Sequence, residues 1–61
     1  MTQREAIEML KKEGFTHLYT GRHIYYGKNG VKASVPNHKG DLKPHEVAHL
    51  KASVKKARER G

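Results

Sequence analysis

Five histidines carry most of the chemistry this sequence can offer near neutral pH: His17, His23, His38, His45 and His49. The surroundings of His23 set it apart. In Gly21-Arg22-His23-Ile24-Tyr25-Tyr26 a glycine turn opens into a short apolar and aromatic run, with the imidazole at its mouth. An exposed imidazole, with a pKa near ~6.5, takes a proton from a ribose 2′-hydroxyl or returns one to a leaving oxygen. Cleavage of RNA by its own 2′-hydroxyl needs no metal or cofactor, because the nucleophile belongs to the substrate. His23 is therefore the candidate catalytic residue, against the plainer reading of an ordinary exposed strand histidine. Arg22 beside it suits a grip on the scissile phosphate. Tyr25 suits stacking on a base, a contact worth roughly 1–3 kcal/mol, and suits cross-strand packing equally well. Lys28, Lys32, Lys39 and Lys43 lie in or near the surrounding turns and strands, as phosphate contacts or as plain solvated side chains.

The remaining histidines invite a test for zinc. His45 and His49 have the helical i, i+4 spacing, but structural zinc sites hold four ligands and commonly use cysteine. Cysteine is absent here, and His38 or Asp41 would have to come in from a loop. No metal is expected. The same absence excludes disulfides and fits a reducing cytoplasm.

The chain has 61 residues and a formal net charge of +7. Between Met1 and Thr20, Arg4, Lys11 and Lys12 balance Glu5, Glu8 and Glu13, so the whole excess follows Gly21. The densest cluster is Lys51, Lys55, Lys56, Arg58 and Arg60. Such asymmetry points to a polyanion or an acidic protein as partner, against the plainer reading of a solvated basic helix. No apolar run reaches the ~18 residues of a membrane span, and no signal-peptide apolar region opens the chain. One small domain is expected.

The elements that must position these residues are well marked. Thr2 and Glu5 form a capping box ahead of Ala6, Ile7 and Leu10, a helical apolar stripe. Gly14 suits the left-handed position that ends a helix, with Phe15 folding back on Leu10. From Thr16 the period changes to two, giving strands at Thr16–Thr20, Arg22–Gly27 and Val31–Val35. Gly21 turns the first pair, and Asn29-Gly30 supplies the positive φ values of a tight hairpin for the second. In the middle strand Ile24 and Tyr26 face the core, which turns His23 and Tyr25 outward on the helix-free side. In the third, Val31, Ala33 and Val35 face in, and Lys32 and Ser34 face out. Pro44 suits the first turn of a second helix, with Leu42 and Val47 as a hydrophobic staple. Val47, Leu50 and Val54 make its apolar stripe, with Ala48 and Ala57 beside it. The predicted fold is α+β in the order α-β-β-β-α, a three-stranded antiparallel sheet with both helices on one face. The expected core contains Ile7, Leu10, Leu18, Ile24, Tyr26, Val35, Val47 and Leu50.

Two segments together carry a family resemblance. The Gly21–Tyr26 stretch, and Val35-Pro36-Asn37-His38-Lys39-Gly40-Asp41-Leu42-Lys43-Pro44 leading into the basic helix, resemble the HicA family of bacterial toxins. The likeness extends over nearly the whole chain, in the order and spacing of its elements as well as in its motifs. It implies a single HicA-like domain over residues 1–61, on a fold like that of double-stranded RNA-binding domains. It also implies a ribosome-independent, metal-independent mRNA endoribonuclease, the stress-response toxin of a type II toxin–antitoxin pair. The family's catalytic histidine stands in a Gly-Ser-His motif, and Gly21-x-His23 falls at that place. Arg22 occupies the serine position, and the Gly14–Gly21 stretch is slightly shorter than usual. His38 matches a Val-Pro-x-His stretch whose role is read as structural, with Asp41 anchoring the same loop through neighbouring N–H groups. The second helix, with Lys51, Lys55 and Lys56, resembles the phosphate-binding helix of those domains, which read A-form shape. The implied partners of a monomer are mRNA and an acidic HicB-like antitoxin covering His23 and the basic face. Two other classes suit the same features: a non-catalytic RNA- or DNA-binding module on the same fold, phage or mobile-element encoded, and a protein whose basic face docks only on an acidic protein.

Overall fold

Thr2 begins the first helix, α1 (Gln3–Lys12), with a reciprocal cap. Its Oγ1 accepts the Glu5 N–H at 3.2 Å, and Glu5 Oε1 accepts the Thr2 N–H at 2.9 Å. The helix ends where Gly14 adopts φ +91°. There the Gly14 N–H bonds the Lys11 carbonyl at 3.0 Å and the Phe15 N–H bonds the Leu10 carbonyl at 2.9 Å. These are the two bonds of the Schellman motif, and they carry Phe15 into the core.

The computed structural model describes every residue from Met1 to Gly61. After α1 come β1 (Thr16–Thr20), β2 (His23–Lys28), β3 (Val31–Pro36) and α2 (Pro44–Arg60), so the order is α-β-β-β-α. The strands form one antiparallel sheet in the order β1-β2-β3. Asn29 and Gly30, at φ 52° and 77°, make the tight turn that closes the β2–β3 hairpin on the Lys28–Val31 pair. This is the geometry for which Asn-Gly is favoured. Asn29 Nδ2 also donates to the Ala57 carbonyl at 3.1 Å, tying the hairpin tip to the far end of α2.

Alternation along β2 and β3 sends Tyr26, Val31, Ala33 and Val35 to one face, where they join Ala6 and Leu10 of α1 and Leu50, Val54 and Ala57 of α2. Both helices therefore cover the same side of the sheet. Leu10, Leu50 and Val35 are its largest fully enclosed side chains. Truncating either leucine to alanine costs about 2–5 kcal/mol, comparable to the ~3–5 kcal/mol a core of this size supplies. Leu42, just ahead of α2, is buried, and Val47 packs on the core as its staple partner. Ser53 is buried with its hydroxyl donating to the His49 carbonyl at 3.1 Å, while Ala48 is exposed. No helix is long and apolar enough to cross a membrane.

Four core expectations need correction. Ile7, Ile24 and Val47 pack against the core only partly buried, because they lie at the edges of their stripes. Leu18 is 50% exposed. The β1–β2 register slips between His17 and Tyr19, leaving Leu18 as the extra residue of a bulge. Its side chain lies over Gly27, where a Cβ would meet it at 3.0 Å. No helix covers β1, all of whose residues are exposed. β2 starts one residue later than predicted and ends one later, at His23 and Lys28.

Candidate functional site

His23 is the first residue of β2 and pairs with Pro36, the last of β3. Its position is set by the turn before it, where the Gly21 N–H donates to the His23 carbonyl at 2.8 Å and the Gly21 carbonyl accepts from Asn37 Nδ2 at 3.2 Å. Asn37 Oδ1 in turn accepts from Gln3 Nε2 at 3.3 Å, so α1, the loop after β3 and the Gly21 turn are linked. Gly21 itself has no positive φ, and a Cβ there would meet nothing within 4 Å. The backbone therefore does not require glycine there.

The imidazole is exposed, with its ring centroid 6.1 Å from that of Tyr25 on the helix-free face. Tyr25 stacks on Tyr19 at 4.5 Å, and Lys32 Nζ lies 5.6 Å and 5.3 Å from the Tyr19 and Tyr25 centroids, within cation–π reach. One side of Tyr25 is thus occupied by a neighbouring ring. Tyr19, 50% exposed, presents the free aromatic surface. His23 also borders a cleft of about 270 Å³ at the end of the sheet, shared with Ser34, Pro36, His45, Glu46 and His49.

The basic residues divide by surroundings. Arg22, Lys39, Lys43, Lys51, Lys55 and Lys56 are exposed, and neither they nor Lys32 pair with a carboxylate. Lys28 is committed elsewhere: its Nζ donates to the Glu13 carbonyl at the end of α1. Arg58 is also committed, by two hydrogen bonds to the Glu13 carboxylate, one of 3.0 Å from Nε and one from Nη2. The Arg58 hydrogen bond holds the Glu13 carboxyl below its usual range, and Glu13 raises Arg58. On α2, helical geometry places Lys56 within about 20° of His49, whereas Lys51 and Lys55 lie roughly 160° and 120° away on the other flank. The three lysines do not form one patch.

Glu46 closes the N-terminus of α2. Its Oε1 accepts the Lys43 N–H at 2.7 Å, the main cause of its lowered pKa, and lies 3.9 Å from His38 Nε2. Lys43 has no acceptor to return the cap, so this is half of a capping box. His38 Nδ1 contacts the Lys39 carbonyl at 3.1 Å. The loop is anchored by backbone, through the Thr2–Asp41 bridge and the Leu42 N–H to the Met1 carbonyl at 2.7 Å, rather than by the Asp41 side chain. No three of the His, Asp and Glu side chains converge as metal ligands.

Sequence reasoning did not single out Tyr19, and it weighed His45 and His49 only against zinc. The tyrosine follows from the bulge and the histidines from how α2 docks, and neither is a local pattern. Comparison with known proteins returns nothing: no protein-family model, no curated protein and no solved structure matches this chain.

Proposed function

We propose that the chain is a HicA-like toxin of a type II toxin–antitoxin pair, an endoribonuclease that cuts mRNA in the cytoplasm with His23 as its general acid/base. The observation that carries the reading is the setting of His23: exposed at the start of β2, beside a tyrosine platform and unpaired cations. The α-β-β-β-α order is the one the resemblance to HicA toxins and double-stranded RNA-binding domains implies. Those cations suit a polyphosphate, whose affinity they would supply without reading sequence.

In this mechanism the RNA backbone lies against Lys32 and Arg22, a base rests on Tyr19, and His23 reaches the 2′-hydroxyl. O2′ attacks the adjacent phosphorus and the 5′ oxygen leaves, so water enters only afterwards to open the cyclic phosphate. The natural inhibitor of such a surface is an acidic HicB-like antitoxin that covers His23 and the cations. Induced expression of wild type beside His23→Ala tests the reading in cells. Growth arrest with mRNA fragmentation for wild type, and neither for the variant, is the expected result. Harmless expression of both, with retained RNA binding, would favour the non-catalytic nucleic-acid-binding module instead.

A further inference from the structure

The cleft at the end of the sheet holds more proton-transfer capacity than a one-histidine reaction uses. His23, His45 and His49 line it with Ser34, Pro36 and Glu46, so three of the chain's five histidines face one space of about 270 Å³. That is slightly below the ~300 Å³ at which ligand cavities commonly begin, room for a phosphate and its sugar rather than a stacked base. The carboxylate on its wall, Glu46, is already held by the Lys43 N–H and faces His38. A second groove of about 280 Å³ continues along the edge of β3, lined by Lys32, Ser53 and Lys56 among others, and His49 belongs to both. An RNA backbone that follows the two grooves passes His49 between His23 and the lysines. His45 touches the first groove alone. Both imidazoles are exposed, and neither ring makes a hydrogen bond.

We propose that His49 is a second catalytic residue, the general acid that complements His23. The inference rests on the RNA-cleaving reading above. The neutral His23 imidazole takes the 2′-hydroxyl proton as O2′ bonds to phosphorus. The bond from phosphorus to the 5′ oxygen breaks, and that oxygen receives a proton from the His49 imidazolium. The products are a 2′,3′-cyclic phosphate and a free 5′-hydroxyl. His23 ends protonated and His49 neutral, and exchange with water resets the pair. Lys32 and Lys56 hold the flanking phosphates.

The test uses the full chain and a DNA strand carrying one ribonucleotide, placed at a site that wild type cuts. A second strand has sulfur in place of the 5′ leaving oxygen at that linkage, because a thiolate departs without needing a proton. His49→Ala should cut the oxygen substrate about 10²–10⁴-fold more slowly than wild type and the sulfur substrate nearly as fast. His23→Ala should be slow on both, and His45→Ala close to wild type on both. Recovery on sulfur also shows that His49→Ala is folded. Equal slowing of His49→Ala on both substrates, or none on either, overturns the assignment, as does sulfur recovery by His45→Ala in its place. A wild type that cuts neither substrate, nor any RNA, overturns the RNA-cleaving reading itself.

Discussion

Tyr19 and Tyr25 pair across the β1–β2 ladder and stack with their ring centroids 4.5 Å apart, and the bulge at Leu18 is what allows it. Residues two apart on a regular strand share a face. His17, however, packs edge-on against the buried Tyr26 at 5.5 Å, while Tyr19 lies with Tyr25 on the opposite side. One extra residue reverses the parity and moves an aromatic ring onto Tyr25, the neighbour of His23.

If this platform receives a base, Tyr19→Ala should weaken binding of single-stranded RNA by about 1–3 kcal/mol, roughly 5- to 150-fold. Tyr19→Phe should retain most of the affinity, since the stacking surface is kept. Fluorescence anisotropy with a short labelled RNA measures both, using His23→Ala throughout to prevent cleavage. Equal affinity for wild-type and alanine platforms would remove Tyr19 from the interface.

Charge contacts predict a different pattern. Replacing Lys32 and Lys56 with glutamine removes two cations from the groove side, so the log–log salt slope should flatten by about 0.7 per lost contact on single-stranded RNA. Lys51 and Lys55, on the other flank, should change the slope on single strands little and on A-form duplexes more. Slopes that respond identically to both pairs would show that the flanks are not used separately.

The Glu13–Arg58 pair joins the end of α1 to the last turns of α2, 45 positions apart. Its carboxyl is held below the ordinary 4.5 mainly by the Arg58 hydrogen bond. A carboxyl lowered in the folded state contributes stability that is full above its unfolded value and is lost as pH falls through its folded one. Wild type should therefore exceed Glu13→Gln in stability above about pH 4.5, and the gap should close on further acidification. Both residues lie at the surface, so salt should narrow it. Thermal unfolding by circular dichroism across pH reads the gap directly, and a difference constant with pH would contradict this role for the pair.

What was legible in the sequence follows the range of the rule that wrote it. Thr2 with Glu5, Gly14 with Phe15, Asn29 with Gly30 and Pro44 in the first turn of α2 each act within a few residues, and each does in the fold what its spacing predicts. The outward placement of His23 also follows from local alternation in β2. Leu18 was misplaced because a bulge is decided by the pairing of two strands, not by either one alone. The meeting of His23 with His45 and His49 depends on where α2 lies against β3, which side-chain volumes across the core determine. The dispersal of Lys51, Lys55 and Lys56 was open to inspection, since a turn of ~3.6 residues already separates them.

The most direct measurement is cleavage of RNA by the purified protein in excess EDTA, with the new ends identified. Cutting should persist in EDTA and leave a cyclic or 3′-phosphate and a free 5′-hydroxyl. DNA and 2′-O-methylated RNA should stay intact, and His23→Ala should lose about 10²–10⁴-fold in rate with fold and RNA affinity retained. Arg22→Ala should slow the reaction if the guanidinium grips the scissile phosphate. Robust cleavage by His23→Ala, or cleavage that EDTA abolishes, would contradict the assignment of His23.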